Sequence, residues 1–421
     1  MTENKPEITA TASGYDFTWS DYGVIIRVNR IRIGKDSAVS GEIIILNHNA
    51  TIYPPTKLNF TADRTRSSLA KTLAEKKADI PWSMLIDQLC YGVQDRARRG
   101  EPVVELWTGT DVRPPRYLLE PLIVEGYPNI IFGDPSAYKS NLAIILVQIL
   151  QLPWSNNPLN LRAPDKSVKC VYLDWEQDEN TILWLTNVIN ESMGLGALSI
   201  KYRHCDVPLI DDIDQAREDI VENEAEVVII DSLGLAAGSE LKETKPALDF
   251  YRALRQLKTT SLILAHNSKD RETKQRTIYG NQYFQAQARN VWEIRKSQEQ
   301  GSRELDIALF HRKPPPFHGL YKPLGFKISY RYSEEHDYDL MEIKAKDPQT
   351  VGEFLEQMGT QTRILDLLSE GSMSVKDMAE QLDTSQNNIS VSLNHLKKKN
   401  KVVKLEKGVW GLAAQQSEAD F

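Results

Sequence analysis

The sequence predicts an α/β protein whose central domain is a mostly parallel sheet flanked by helices. Between Pro128 and Lys346, short β-branched runs alternate with helical stretches, which is typical of parallel strands joined by crossover helices. Strands followed by a helix precede this region, and short amphipathic helices with a hairpin follow it. We therefore expect a small α+β domain over residues 1–110, the α/β domain over 116–346 and a third domain over 359–413.

Length and composition agree with this division. The chain has 421 residues, and a length of roughly 150 residues per domain corresponds to about three domains. Hydrophobic residues make up 41% and charged residues 26%. These values are ordinary for a soluble globular protein and argue against fibrous, disordered and membrane classes.

The sequence also indicates a compartment. Its three cysteines lie far apart and include no CxxC pair, so it predicts neither a disulfide framework nor a zinc cluster. The polar first residues lack the order of an export signal. The longest apolar run, Leu142 to Leu152, is shorter than the roughly 20 residues of a membrane span. We expect a cytoplasmic protein that does not enter a membrane.

Apolar runs predict where the strands lie. In the central domain they are residues 129–132, 168–173, 227–230, 261–265 and 290–295, followed by a trailing hairpin of 304–310 and 324–332. In the N-terminal domain, the near-alternation of Val24, Ile26 and Val28 predicts one strand, and residues 42–46 and 57–60 predict two more. Apolar residues at helical spacing predict a helix over 81–98.

A candidate phosphate-binding loop follows the first strand of the central domain and opens a helix. In this position, backbone N–H groups and a helix N-terminus can surround phosphates. Lys139 would reach the β and γ phosphates of ATP, and the Ser140 hydroxyl would bind Mg²⁺. The candidate nucleotide contacts are Gly133, Asp134, Pro135, Ser136, Ala137, Tyr138, Lys139, Ser140 and Asn141.

This loop departs from the usual GxxxxGK[ST] pattern. Tyr138 occupies the place of the glycine before the lysine, so its side chain must avoid the phosphates. Pro135 has no N–H to offer them. The string taken alone is as consistent with a chance loop as with a nucleotide site, and its interpretation depends on the strands that follow.

Three later strands end in polar groups. Asp231 ends an apolar strand as a candidate second Mg²⁺ ligand; the alternatives are a solvated strand end or a helix N-cap. Glu176 is a candidate general base that orients the attacking water, but the sequence does not exclude Asp174 in that role, and both carboxylates could simply be exposed in an acidic turn. His266 stands where a γ-phosphate sensor would lie, although a single histidine is also compatible with a structural role.

In this order, the loop, Glu176, Asp231 and His266 resemble the RecA-like ATPases of the RepA type, the hexameric plasmid-replication helicases. The segment 280–292, with small residues and an arginine before a strand, and the strand end His311-Arg312-Lys313 also resemble that family and ring ATPases of the DnaB class. The resemblance implies a homo-oligomer, expected to be a hexamer, with an ATP site between two subunits. Lys313 or Arg312, with Arg289 as a further candidate, would complete the site from a neighbour; the alternative is that these side chains face solvent.

The net charge of −7 means that any DNA binding must come from local basic patches rather than from the whole-molecule field. One patch is the loop from Asn267 to Gln282, which follows a core strand and would face the channel of a ring. It is net basic and would track the backbone of single-stranded DNA, although an ordinary solvated loop could have the same composition. The candidate contacts are Lys269, Arg271, Lys274 and Arg276.

The C-terminal segment predicts a winged helix-turn-helix. Apolar residues at helical spacing mark three short helices, Asp383-Thr384-Ser385 supplies an N-cap signal before the third, and residues 402–405 and 409–412 form a hairpin. Polar residues on the third helix and lysines at its end suit duplex DNA, while winged helices also serve protein contacts. The candidate contacts are Gln386, Asn387, Ser390, Asn394, Lys397, Lys398, Lys399 and Lys407.

Together these features predict a Mg²⁺-dependent, ring-forming ATPase that acts on DNA, a helicase or helicase-like replication factor of a mobile element. One alternative is a nucleotide-gated, DNA-binding regulatory assembly that separates no strands, which Tyr138 in the loop would favour. A second alternative is a filament former similar to recombinases. A small-molecule kinase would explain neither the basic strand end at Lys313 nor the winged helix.

Overall fold

The computed structural model describes residues 5–34, 36–99, 103, 105, 115–268, 276–355, 358–406 and 408–413. Within these ranges the strands form sheets of nine, five, three and two strands. None of the helices in this part of the chain combines the length and apolar character that crossing a membrane requires.

The N-terminal region is an antiparallel sheet in the order β1-β2-β3-β4-β5 with two helices packed against it. Alternate residues of β4 are buried, as expected for a strand with one face on a core. Its elements are β1 (Glu7–Ala10), β2 (Gly14–Trp19), β3 (Val24–Ile33), β4 (Val39–Asn47), β5 (Ala50–Asn59), α1 (Asp63–Lys76) and α2 (Trp82–Arg99). The sequence did not predict α1, because only Leu69 and Leu73 of this polar helix are buried.

The central region is built on the nine-stranded sheet, in the order β10-β9-β11-β12-β8-β13-β14-β15-β16. Neighbours from β10 to β13 run parallel, and those from β13 to β16 run antiparallel. The strands are β6 (Tyr117–Leu119), β7 (Ile123–Val124), β8 (Pro128–Gly133), β9 (Cys170–Asp174), β10 (Lys201–His204), β11 (Val227–Asp231), β12 (Thr260–His266), β13 (Asn290–Ser297), β14 (Glu304–Lys313), β15 (Leu324–Ser333) and β16 (Tyr338–Ala345). The predicted mostly parallel sheet flanked by helices is confirmed.

Helices cover both faces of this sheet and form two hydrophobic cores. The helices are α3 (Lys139–Gln151), α4 (Glu179–Met193), α5 (Ile213–Glu222), α6 (Leu233–Ala237), α7 (Thr244–Leu257) and α8 (Tyr283–Gln287). Ile131 of β8 points into the core beneath α3 and α4, while its neighbours Ile130 and Phe132 point into the core beneath α5 to α8. Burial on both faces explains why the parallel strands are continuous apolar runs.

All seven strands predicted for this region are present, and four further strands, β6, β7, β10 and β16, were missed. The edge strand β10 has the sequence Lys-Tyr-Arg-His and no apolar run, so its pairing with β9 has no local signal. The strand β16 pairs with β15 and extends the trailing hairpin. The following connection is folded rather than extended, since Phe354 of α9 (Gly352–Leu355) packs with Phe310 and Ala308.

The C-terminal region is a winged helix-turn-helix. Its elements are α10 (Thr360–Glu370), β17 (Met373–Ser374), α11 (Val375–Gln381), α12 (Gln386–Lys398), β18 (Val402–Glu406) and β19 (Val409–Leu412). The Ser374 and Ser385 side chains accept hydrogen bonds from the backbone at Asp377 and Asn388, which caps α11 and α12. Apolar faces of the helices enclose one small core with Trp410 of the wing.

Candidate active site

The polar strand ends predicted from the sequence meet at one edge of the central sheet. Parallel pairing aligns His266 of β12 with Gly133 of β8, and it aligns Asp231 of β11 with Asp174 of β9. The carboxyl ends of neighbouring parallel strands therefore present these groups together, beside the loop between β8 and α3. Open α/β sheets bind their ligands at this kind of edge.

The phosphate loop has a tightly constrained backbone. A Cβ atom on Gly133 would lie 2.4 Å from the backbone oxygen of Ile294 in β13, so only glycine fits this close approach. Ser136 and Tyr138 have φ values of 62° and 73°. The first helical hydrogen bond of α3 runs from Leu142 N–H to the Tyr138 carbonyl. The loop thus ends at a helix N-terminus, the geometry that binds anions.

Tyr138 is anchored in the antiparallel extension of the sheet. Its hydroxyl lies 3.2 Å from the Met341 sulfur and 3.4 Å from the Tyr330 hydroxyl. The ring packs against the core beneath α3 and α4, and burial raises the pKa of Tyr138. The side chain that replaces the usual glycine is therefore held by β15 and β16. Sequence reasoning did not find these two partners, which are about 200 residues away in the chain.

Lys139 lies inside the loop with its amine folded back on the backbone. Its Nζ donates hydrogen bonds to the Asp134 carbonyl at 2.9 Å and to the Gly133 carbonyl at 3.4 Å. Burial lowers the pKa of Lys139, and the carboxylates of Glu176 and Asp231 act in the opposite direction. The amine is thus held where phosphate oxygens can replace the two carbonyls as acceptors.

Ser140 and Asp231 are in direct contact, as expected of two ligands to one cation. The Ser140 hydroxyl donates to Asp231 Oδ2 at 2.6 Å, and the Tyr172 hydroxyl donates to the same oxygen at 2.7 Å. Burial raises the pKa of Asp231. Sequence reasoning missed Tyr172; its only signal was a polar hydroxyl inside an apolar strand.

The side chains present fit Mg²⁺. A hydroxyl and a carboxylate are hard oxygen donors, and Mg²⁺ commonly takes one or two protein ligands with phosphate and water completing its shell. In the described part of the chain there is no cluster of three or more His, Cys, Asp or Glu side chains able to hold a metal by themselves. Ser140 and Asp231 would therefore bind the cation together with a nucleotide.

The two carboxylates that the sequence left as alternatives have different surroundings. Asp174 is fully buried, its Oδ1 accepts N–H groups of Glu176 and Gln177, and burial raises its pKa to about 6. Glu176 keeps 40% of its side chain exposed, and its Oε1 lies 3.4 Å from His266 Nε2. The histidine contact lowers the pKa of Glu176. Asp174 shapes the turn, and Glu176 is the carboxylate open to a reactant.

Glu176 and His266 border a cavity of about 820 Å³ beyond the strand ends. Leu233, Leu235 and Tyr279 form much of the rest of its wall. The buried Nδ1 atom of His266 has no hydrogen-bond partner among the described residues. This cavity leaves space at the strand ends for a reacting group beside both polar side chains.

On the winged helix, the predicted DNA contacts occupy the outer side of α12 and its end. Gln386, Asn387 and Asn394 are exposed, and the half-buried Ser390 donates its hydroxyl to the Gln386 carbonyl. The lysines 397, 398 and 399 are exposed at the end of the helix. Lys407 lies outside the described residues. Val391, which the sequence analysis did not single out, is also exposed on this helix.

Comparison with known proteins bears on two parts of the chain. Residues 94–272 match the model of an AAA domain family, and residues 359–402 match that of bacterial regulatory proteins of the arsR family. The first of these matches covers the candidate phosphate loop, Glu176, Asp231 and His266. A KaiC-like protein from the hyperthermophilic archaeon Pyrococcus horikoshii is a structural neighbour, 14% identical over 54% of this chain and 100% of its own, with a TM-score of 0.37. No curated protein matches the chain.

The central region also contains the predicted loop after β12, of which the structure describes both ends. Arg276 forms an ion pair with Asp134 of the phosphate loop, and Asn267 Nδ2 donates to the other Asp134 oxygen at 2.8 Å. Lys269, Arg271 and Lys274 lie outside the described residues. Arg276, predicted as a DNA contact, therefore bridges to the nucleotide loop in this structure.

The basic candidates near β13 and β14 are not brought to the phosphate loop of their own chain. The Arg289 N–H donates to the Pro128 carbonyl at the opposite end of β8, and Lys313 pairs with Val291 at that same end. Lys313 Nζ donates to the carbonyls of Gln285 and Ala286. Arg312 instead donates to the buried Glu293 at 2.7 Å and is held within its own chain.

Proposed function

We propose that this protein is a Mg²⁺-dependent ATPase that assembles into a homo-hexameric ring and acts on DNA, as a RepA-like helicase or helicase-like replication factor of a mobile element. The observation that carries the proposal is the meeting of Lys139, the Ser140–Asp231 pair and the Glu176–His266 pair at one sheet edge. Phosphate binding, metal binding and water activation are the three tasks that phosphoryl transfer to water requires.

In this proposal each task has its own residues. Backbone N–H groups at the start of α3 and the Lys139 amine hold the phosphates, and Ser140 and Asp231 hold Mg²⁺. Bound Mg²⁺ supplies charge neutralisation at the β and γ phosphate oxygens. Glu176 accepts a hydrogen bond from the attacking water and polarises it. His266, 3.4 Å from Glu176, responds to the γ-phosphate.

The positions of the basic residues support assembly into a ring. Arg289 and Lys313 lie at the amino edge of the parallel strands, and β8 spans six residues, so roughly 17 Å of strand separates them from the phosphate loop. They can contribute to hydrolysis only at the site of a neighbouring subunit. Lys313, whose partners are backbone carbonyls, is better suited to this role than Arg312, which already neutralises Glu293.

Two parts of the chain would bind DNA. The exposed amides and lysines of α12 and its end would bind duplex DNA, and an arsR-type helix-turn-helix model matches this region. The loop that begins at Asn267 and contains Arg276 would contact single-stranded DNA in the channel. Because Arg276 contacts Asp134, DNA at this loop would affect the nucleotide site directly.

The test is ATP turnover by the purified full-length protein with and without single-stranded DNA, together with unwinding of a forked duplex. We expect stimulation by DNA, strand separation that requires ATP, and loss of both in Lys139→Ala. ATP turnover that is unchanged both by DNA and by the Lys139→Ala substitution would refute the proposal. Measuring the size of the assembly with and without nucleotide tests the ring. A protein that is monomeric in every condition would contradict an ATP site completed by a neighbouring subunit.

A second candidate function is a nucleotide-gated DNA-binding regulator that separates no strands. It is favoured by Tyr138 in the phosphate loop and by the match of the C-terminal region to bacterial regulatory proteins. ATP-dependent retention on duplex DNA without unwinding would support it. Electron micrographs with ATP and single-stranded DNA distinguish a ring from a recombinase-like filament, the third possibility raised by the sequence.

A further inference from the structure

Tyr172 lies in the middle of β9, two residues before the strand reaches the carboxyl edge. It is fully buried on the face of the sheet that α3 covers. From this position its hydroxyl extends to Asp231 Oδ2 of the adjacent strand β11 at 2.7 Å. A fully buried side chain in a largely apolar core therefore ends in a hydrogen bond to a proposed metal ligand.

The contact is specific to one carboxylate oxygen. Asp231 Oδ2 receives hydrogen bonds from both Tyr172 of the adjacent strand β9 and Ser140 of helix α3. A phenylalanine would fill the same core space, so packing does not require the hydroxyl. Carboxylates that bind metals are commonly held in orientation by such outer hydrogen bonds.

We propose that Tyr172 is a positioning residue for the metal site, which holds the Asp231 carboxylate in the orientation that binds Mg²⁺ together with Ser140. The inference rests on the proposed function and adds a residue to it. Without the hydroxyl, Ser140 is the remaining side-chain donor to Asp231 among the residues that the structure describes. The Ser140 oxygen is itself a proposed ligand, so it cannot fix the carboxylate independently of the cation.

The adjacent strand offers a matched control. Tyr202 of β10 pairs in register with Tyr172, and the two ring centroids are 6.3 Å apart. The Tyr202 hydroxyl donates to the Gln177 carbonyl at 3.2 Å and lies 3.5 Å from Asp174. Tyr202→Phe thus removes the same chemical group one strand away without disturbing Asp231.

The experiment measures binding of a fluorescent ATP analogue to the full chain over a Mg²⁺ titration and in EDTA. In EDTA, we expect Tyr172→Phe to bind the analogue as tightly as the unsubstituted protein does. In the titration, it should need at least about tenfold more Mg²⁺ to reach half of the metal-dependent gain in affinity. Tyr202→Phe should keep the original Mg²⁺ midpoint. Tyr172→Met, which also lacks the hydroxyl, should repeat the shift and serves if the phenylalanine variant fails to fold.

The possible outcomes distinguish failure of the positioning role from failure of the proposed function on which it rests. An unchanged Mg²⁺ midpoint in folded Tyr172 variants overturns the positioning role. Weaker binding in EDTA as well would also overturn it, because the tyrosine would then support the whole site rather than the metal ligand. If the unsubstituted protein gains no affinity from Mg²⁺, or if Lys139→Ala binds equally well, the proposed nucleotide site itself fails.

Discussion

Arg276 forms an ion pair with Asp134 in the phosphate loop. The two residues are 142 positions apart, and they connect the loop after β12 with the loop that would bind ATP. Asn267 donates to the same carboxylate, so both described ends of the β12 loop meet at Asp134. Asp134 therefore links the two loops, together with the hydrogen bond from Asn267 N–H to the Gly133 carbonyl.

We expect Arg276→Ala to reduce the stimulation of ATP turnover by single-stranded DNA while leaving the folded state intact. The pair is partly exposed, so its loss should change the free energy of unfolding by no more than about 1 kcal/mol. Turnover at increasing DNA concentration measures the effect. The control is Arg99→Ala, which breaks an exposed pair with Asp95 on α2; equal stimulation in both variants contradicts the coupling.

Glu176→Gln should lower ATP turnover by at least about 100-fold, because the amide cannot accept a proton from water. ATP affinity should stay within about threefold of the original, since the hydrogen-bond partners described for the Glu176 side chain are His266 and Ser232, which lie outside the phosphate loop. Single-turnover kinetics and nucleotide titration separate the two quantities. Loss of binding together with turnover would indicate a structural role for Glu176.

Tyr138→Gly restores the usual glycine and should destabilise the protein by roughly 2 kcal/mol. Loss of the packed ring costs about 3 kcal/mol, and relief of a positive φ at a residue with a Cβ returns about 1 kcal/mol. Nucleotide binding should persist, because the side chain that is lost contacts Tyr330 and Met341 and glycine is the usual residue before the lysine. Urea unfolding measures the expected change in the free energy of unfolding. The matched control Tyr330→Phe removes one hydroxyl partner and should cost less; a more stable glycine variant contradicts this account.

His311 should make the protein sensitive to acid. Tyr321 N–H donates to its Nδ1, Nε2 lies 2.9 Å from Asn290 Oδ1, and burial lowers its pKa to about 4. The pKa of His311 in the folded protein lies below the unfolded value of about 6.5. The contribution of the neutral imidazole to the free energy of unfolding is therefore fully present above pH 6.5 and is lost as the pH falls from there towards 4. At pH 5 the loss should be about 2 kcal/mol.

The measurement is urea unfolding at pH 7 and pH 5 for the unsubstituted protein and for His311→Gln. The glutamine does not titrate, so the variant should lose about 2 kcal/mol less between the two pH values. His336→Gln is the control, since this histidine is half-buried beside Glu191 rather than enclosed in the core. An equal pH dependence in the His311 variant would contradict the assignment.

On the winged helix, lysines and amides should have different effects on DNA binding. Lys397→Ala should weaken binding to all duplexes alike. It should also reduce the slope of the logarithm of the binding constant against the logarithm of the salt concentration by about one, as expected for a phosphate contact. Asn387→Ala should relax the preference for one sequence, as expected for a base contact. Fluorescence anisotropy at several salt concentrations measures both. Lys201→Ala, on an exposed part of β10, should change neither.

The sequence by itself determined the sheet, the loop and the order of polar strand ends. Buried parallel strands are continuous apolar runs, and the carboxyl ends of such runs meet at one edge in any sheet of this type, so Glu176, Asp231 and His266 could be named from local pattern. The N-caps at Ser374 and Ser385 are equally local signals.

Only the tertiary structure decided which side chains touch. It turned Asp174 into the core and Glu176 towards His266, although both carboxylates follow the same strand. It joined Tyr172 to Asp231 and Arg276 to Asp134. These contacts depend on strand order and on packing between segments far apart in the chain. Hydrophobic periodicity records only which face of an element is buried, so it carries no information about partners.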